Sequence, residues 1–132
     1  MSEQNVDLAL AAYEWGGQKR DLELGVVFQP DFEWHTRADL PDAGVRKGHQ
    51  GVIRLRAEWV EAFDDFHVDV DEVIDAGDYV IAVTRLCGFL RGSDHQLDVS
   101  ETHVWTMQGG RAAEVRAYLT RADALKAAGL ED

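Results

Sequence analysis

The sequence predicts an α+β fold, a strongly bent antiparallel sheet with three helices packed on its concave face. Two observations predict it. The first is the stretch from Val68 to Leu119, which reads as the strand runs Val68–Asp75, Tyr79–Phe89, Leu97–Met107 and Ala112–Leu119. β-Branched and aromatic residues fill the runs, and Gly, Asp and Ser dominate the breaks between them. Breaks this short join antiparallel neighbours, so the strands form a meander. The second is that the longer helical periodicities precede this stretch. Those helices are the material available to cover the sheet face that must be buried.

Each element has its own warrant. Val6, Ala9, Leu10 and Tyr13 share one helical face, which Leu8, Ala12 and Trp15 widen. A first helix therefore runs to about Trp15, capped by Ser2 or Asn5 and stopped by Gly16 and Gly17. Asp21 caps a short second helix through Phe28, and Pro30 ends it. Asp31 to Thr36 reads as a short strand, with Phe32 and Trp34 on one side and Glu33 and His35 on the other. Ala38 to Gly48 holds Pro41, Gly44 and several charges, and reads as a loop long enough to form a rim or lid. The strongest helix runs from His49 to about Asp65, burying Val52, Leu55, Trp59, Ala62, Phe63 and Phe66, with Arg54, Arg56, Glu58 and Glu61 largely off that stripe. After the meander, Thr120 caps a final short helix, Arg121 to Ala128, and Gly129 stops it. Helices cannot fill the wide end of a sheet bent around them. The hollow left there is the default place for a small-molecule site.

At 132 residues the chain reads as a single domain, 1–132, able to bury its core without disulfides or metals. The net charge of −12 argues against nucleic acid and anionic membrane surfaces as partners, because their phosphates would be repelled. The single cysteine, Cys87, excludes a disulfide within the chain and reads as a small buried hydrophobe. No basic segment followed by an apolar one opens the sequence, and no run reaches membrane-spanning length, so the cytoplasm is the expected location. The five histidines show no zinc spacing, and the acidic run from Asp64 to Asp78 reads as a solvated strand face rather than a calcium loop. No metal and no cofactor is expected.

The polar candidates are His35, Glu101 and His103. A strand histidine near a pocket mouth suits general-base work close to neutral pH. Glu101 and His103 share strand parity with Leu97, Val99, Trp105 and Met107, which favours the inner face. The alternative is a cross-strand polar pair on the outer face, which a dimer would bury. Trp15, Trp34, Trp59 and Trp105 are core, rim or cavity wall.

The order of elements resembles the nuclear transport factor 2-like superfamily, also called cystatin-like, and within it the SnoaL-like proteins. The resemblance spans nearly the whole chain. It rests on Tyr13, the Arg20-Asp21-Leu22 segment, Phe28 to Trp34, Gly48 to Ile53, His103 to Arg111, Tyr118 to Arg121, and Ala124-Leu125. It implies a cone-shaped domain, a small-molecule cavity and a homodimer through the outer sheet face. Ketosteroid isomerases of this superfamily use a helix-one Tyr as donor to an oxyanion, and Tyr13 matches that position. Their Asp base and protonated Asp are replaced here by Thr36, with His35 beside it, and Thr102, next to Glu101. The His-Trp-Asp signature of the cyclases and the Arg-Asp set of the epoxide hydrolases are absent. The expected function is binding of a small, largely apolar molecule, with cofactor-independent isomerase, cyclase or dehydratase chemistry as the enzymatic form. Tyr13 would be the donor, His35 the base, and Glu101 or His103 the second acid/base. Trp15, Trp34, Trp59, Phe63, Trp105 and Tyr118 would shape the pocket. The alternative is a non-catalytic binding or dimeric partner module whose cone is filled by aromatic side chains.

Overall fold

The computed structural model describes residues 2–41 and 43–130. Its elements are α1 (Ser2–Gly16), α2 (Leu24–Val27), β1 (Phe28–His35), β2 (Val45–Lys47), α3 (Gly48–Ala62), β3 (Phe63–Ala76), β4 (Tyr79–Leu90), β5 (Gln96–Gln108), β6 (Arg111–Tyr118) and α4 (Arg121–Ala127). The six strands form one sheet in the order β2-β1-β6-β5-β4-β3. The expected meander is β3 to β6, each antiparallel to the next, and β1 joins β6 in parallel. Between β5 and β6 the turn has two residues, Gly109 and Gly110, with φ of 61° and 81°. Consecutive positive φ values are what a tight hairpin needs, and glycine adopts them without steric cost.

Register shifts in β3 and near Thr106 and Met107 mark bulges, which bend strands and raise their twist. The concave face is covered by the first three helices. Ala9, Ala12 and Tyr13 of α1, Val27 of α2 and Val52 of α3 pack on Val80, Ala82, Trp105, Met107, Ala112 and Val115 of the sheet. Burial of each large apolar side chain contributes about 1.5–3 kcal/mol. On the opposite face α4 sets Ala124 against Ile81 and Val104, the outward neighbours of Val80 and Trp105. Thr120 caps α4 as expected, accepting from the Asp123 N–H at 3.1 Å. The helices are thus not all on one face: the terminal helix takes the convex side.

Local departures have identifiable causes. The strongest helix ends at Ala62, not near Asp65, because Phe63 and Phe66 are inward residues of β3 rather than of the helix. The second helix is one turn, Leu24–Val27, and Pro30 lies inside β1. Proline has no N–H for a ladder, and the β1–β6 pairing shifts between Phe28 and Glu33, around it. Within the loop expected at 38–48, Val45–Lys47 forms β2, paired to β1 by Glu33–Lys47, Trp34–Arg46 and His35–Val45. Gly51 allows α3 to start beside this strand: a Cβ there would stand 2.7 Å from the Arg46 carbonyl carbon. Asn5 lies inside α1 and donates to the Gly77 carbonyl at 3.2 Å instead of capping the helix. The Ser2 side chain, the other expected cap, lies outside the described residues.

Candidate active site

Alternation along β5 decides what enters the hollow. Val80, Ala82 and Thr84 of β4 stand opposite Trp105, His103 and Glu101 of β5, and Val80, Ala82 and Trp105 belong to the concave core. Glu101 and His103 therefore point inward, as their parity with Trp105 predicts. Helix α1 lays Tyr13 across this row from above. The result is one hydrogen-bonded chain. Trp105 Nε1–H donates to the Tyr13 hydroxyl at 2.8 Å. The Tyr13 hydroxyl is 2.6 Å from His103 Nδ1, and His103 Nε2 is 2.7 Å from Glu101 Oε1.

Proton counting assigns the donors. The indole can only donate, so the Tyr13 oxygen accepts from it. With a neutral imidazole, the Tyr13 proton goes to Nδ1, and Nε2–H donates to the Glu101 carboxylate. Every bond then has one proton, and no buried side-chain polar atom among the described residues lacks a partner. Burial holds the Tyr13 phenol well above its ordinary range. The Trp105 N–H partly offsets this, and the Glu101 charge adds to it. Burial thus favours Tyr13 as a neutral hydroxyl over the phenolate. His103 is 2% exposed and Glu101 is 14% exposed at its side chain, so Glu101 is the end of the chain open to a ligand. Its second oxygen lies 4.0 Å from Arg37 Nη1, and Arg37 is held by Asp39.

Around this chain lies a cavity of about 340 Å³. Trp34 packs edge-on against both His103 and Trp105, with ring centroids 5.0 and 5.9 Å apart. Trp59 stacks on Phe63 and Phe66 to form the wall from α3 and β3. Trp15 forms another part of the wall, with the Arg56 guanidinium 4.7 Å over its ring. Arg56 Nε also donates to the Trp15 carbonyl, which caps the C-terminal end of α1. Arg46 and Glu58 face each other across the cavity wall in a two-bond pair, both distances 2.7 Å. The cavity is therefore apolar over most of its wall and polar at two places, the Tyr13–His103–Glu101 chain and the arginine pairings.

Eight of the ten residues expected at the site line this cavity: Tyr13, Trp15, Trp34, Trp59, Phe63, Glu101, His103 and Trp105. The other two face away. His35 is paired with Arg116 of β6 on the outer face, where its Nε2 lies 3.0 Å from Glu33 and 3.5 Å from Glu114. Trp34 points inward, so its strand neighbour must point outward, and the base role expected of His35 has no access to the cavity. Tyr118 follows the inward Ala117 and packs in the cluster beneath α4. Thr36, Arg46, Arg56, Glu58 and Phe66 line the cavity without having been singled out. For Arg56 and Glu58 a signal existed, since both flank the buried Leu55–Trp59 stripe of α3. For Arg46 none exists, because the three residues of β2 carry no period. Metal-type clusters occur outside the cavity, Glu33-His35-Glu114 and His67-Asp69-Cys87.

The family model described as SnoaL-like domain matches residues 10–115. Among solved structures, a putative SnoaL-like polyketide cyclase from Jannaschia sp. CCS1 is 25% identical, with 98% of this chain and 94% of that chain covered and a TM-score of 0.74. TerC, co-crystallised with polyporic acid, is 25% identical over 93% of this chain and 96% of its own, with a TM-score of 0.70. Bal32a, from a soil-derived mobile gene cassette, is 23% identical over 88% of each chain, with a TM-score of 0.75. Other neighbours are described as NTF2-like and cystatin-like, which is the fold seen here. No curated protein matches the sequence. No helix among the described residues is long and apolar enough to cross a membrane.

Proposed function

Because the chain belongs to the SnoaL-like domain family, we propose that its cavity binds a small, largely apolar carbonyl compound and moves a proton on it. The single observation that carries this reading is the Tyr13–His103–Glu101 chain set in an apolar cavity. Glu101 is the base. It takes a proton from a carbon next to the carbonyl, and the C–H electron pair moves to form an enolate. Tyr13, an un-ionised hydroxyl, turns its single proton from His103 Nδ1 to the oxyanion as charge develops there. His103 gives its Nε2–H to the carboxylate, and its Nδ1 holds the phenol in place until that turn. Returning the proton to another carbon is isomerisation. Attack of the enolate on a second carbonyl is cyclisation, and loss of a β-hydroxyl is dehydration. All three share the same first step and need only the chain's own side chains.

The neighbour described as a putative polyketide cyclase and the one crystallised with polyporic acid agree with a small-molecule site, each for its own protein. The outer face of the sheet is the proposed homodimer surface, as expected for this scaffold.

The test is solvent deuterium exchange into a panel of cyclic and aryl ketones, followed by NMR. Wild-type protein is expected to accelerate exchange at the carbon next to the carbonyl. Glu101→Gln should lose about 10²–10⁴ of that acceleration, the range for one positioned acid/base group. A ketone that binds, shifts the tryptophan fluorescence and never exchanges would replace this reading with the non-catalytic one. That second reading has one observation in its favour: the Tyr13 proton is already engaged by His103 in the ligand-free chain.

A further inference from the structure

We propose that His67, Asp69 and Cys87 form a binding site for a divalent cation of the zinc class, on the sheet face away from the cavity. Strand register builds it. His67 stands opposite Cys87 and Asp69 opposite Arg85 across β3 and β4, while Val68 and Leu86 between them line the cavity. The three side chains therefore rise on one face. Along the chain these residues have no zinc spacing, because 18 positions separate Asp69 from Cys87. The site exists only across the strands.

Distances and proton counting favour a cation. The three ligand atoms lie within 4.8 Å of one another. His67 Nε2 is 3.8 Å from Asp69 Oδ1, and Cys87 Sγ is 3.7 Å from Asp69 Oδ2. Tetrahedral zinc, with bonds of about 2.0–2.3 Å, sets its ligand atoms about 3.3–3.6 Å apart, so the three groups must draw together by up to about 1 Å to bind it. His67 Nδ1 is 2.9 Å from the Asp65 carbonyl, to which it can only donate. With a neutral imidazole that bond turns the Nε2 lone pair towards the carboxylate, the orientation that a cation shared by the two would use. A backbone carbonyl on the second ring nitrogen is also how metal-bound imidazoles are commonly oriented.

Arg85 is the competing cation. Its Nη2 lies 3.8 Å from Asp69 Oδ2, but its closer partner is Asp71, at 3.0 Å. It can keep Asp71 and release Asp69. Asp98, opposite Cys87 on β5, offers a further carboxylate beside the site. Thiolate, imidazole and carboxylate together suit zinc-class ions and not calcium or magnesium. The Glu33-His35-Glu114 cluster is the weaker candidate because Arg116 already holds Glu114 with two bonds, at 2.9 and 3.3 Å.

The experiment is titration of the full chain, reduced and stripped of metal, with Co²⁺, followed by Zn²⁺ displacement. Cys87 is the single cysteine, so a thiolate-to-cobalt charge-transfer band reports this site alone. One Co²⁺ per chain is expected, with a saturable band that Zn²⁺ abolishes. Cys87→Ser should remove the band and His67→Gln should weaken binding at least tenfold. Arg85→Gln should strengthen binding, which a passive surface contact would not do. No saturable band, or a band that His67→Gln leaves unchanged, would overturn the site. So would half an equivalent per chain, because that would place the ion between two copies. Circular dichroism of each variant separates loss of ligand from loss of fold.

Discussion

Two histidine–glutamate pairs sit on opposite faces of the same sheet. His103 and Glu101 are 2.7 Å apart facing the cavity, and His35 and Glu33 are 3.0 Å apart on the outer face. Side-chain chemistry and spacing are nearly the same. The surroundings differ. His103 is buried under Tyr13 and Trp34, and its second nitrogen meets a phenol. His35 has a second carboxylate within 3.5 Å, and Arg116 in turn pairs with that carboxylate. A second carboxylate and the Arg116 guanidinium offset the outer pair, while an apolar wall leaves the inner pair's hydrogen bonds and charge to act on whatever enters. The pair alone therefore does not make a site. Exclusion of water around it does.

The largest expected effect that would break this comparison is on turnover. His103→Asn should reduce ketone proton exchange by about 10²–10⁴, while His35→Asn leaves it within about twofold. Equal losses in the two variants would mean that the faces are not chemically distinct. Stability should separate them next. Tyr13→Phe leaves the Trp105 N–H and His103 Nδ1 without a partner, at about 1–3 kcal/mol for each buried group. Urea unfolding should show that loss. His35→Ala should cost less, about 1 kcal/mol, because it removes one partly buried pair and leaves no buried group unpartnered.

Alkaline pH sharpens the comparison further. The Tyr13 phenol is raised in the folded chain from an ordinary value of 10.0. Above that value the unfolded chain loses a proton that the folded one keeps, so the stabilisation is complete below about pH 10 and declines as pH rises. The slope should reach about 1.4 kcal/mol per pH unit from this group, and Tyr13→Phe should remove that share. Salt gives the smallest effect. Arg116→Ala should cost less than about 1 kcal/mol at low ionic strength, with the cost fading towards molar salt.

The fold was legible because its signals are local. Period-two runs and glycine-rich turns mark β3 to β6, and helical spacing marks α1 and α3. β2 was not legible, since three residues beside Pro41 and Gly44 carry no period. The end of α3 was obscured because Phe63 and Phe66 continue its helical spacing and also suit a strand. In the site, strand alternation is sufficient to sort the residues of β1 between the two faces. It placed Phe32 and Trp34 opposite Glu33 and His35, so a cavity-facing Trp34 already implied an outward His35. The contacts of Tyr13 with His103 and Trp105 were beyond reach, since they join residues 90 and 92 positions apart. No local pattern records them.

The parallel pairing of β1 with β6 also sets the order in which the molecule can be finished. The ladder joins Glu33 to Glu114 and His35 to Arg116, so the first strand waits for the last. Contacts that distant are closed late, after the local hairpins from β3 to β6 have formed. On the ribosome, β1 and β2 would emerge with an unpaired edge and stay so until β6 is clear of the tunnel, a period of exposure to wrong pairing. The Tyr13–His103 bond joins α1 to β5 and does not itself need β6. A chain ending before β6 would hold both residues and still lack the wall that carries Val115 and Ala117. The cavity is thus completed by the final closure of the sheet.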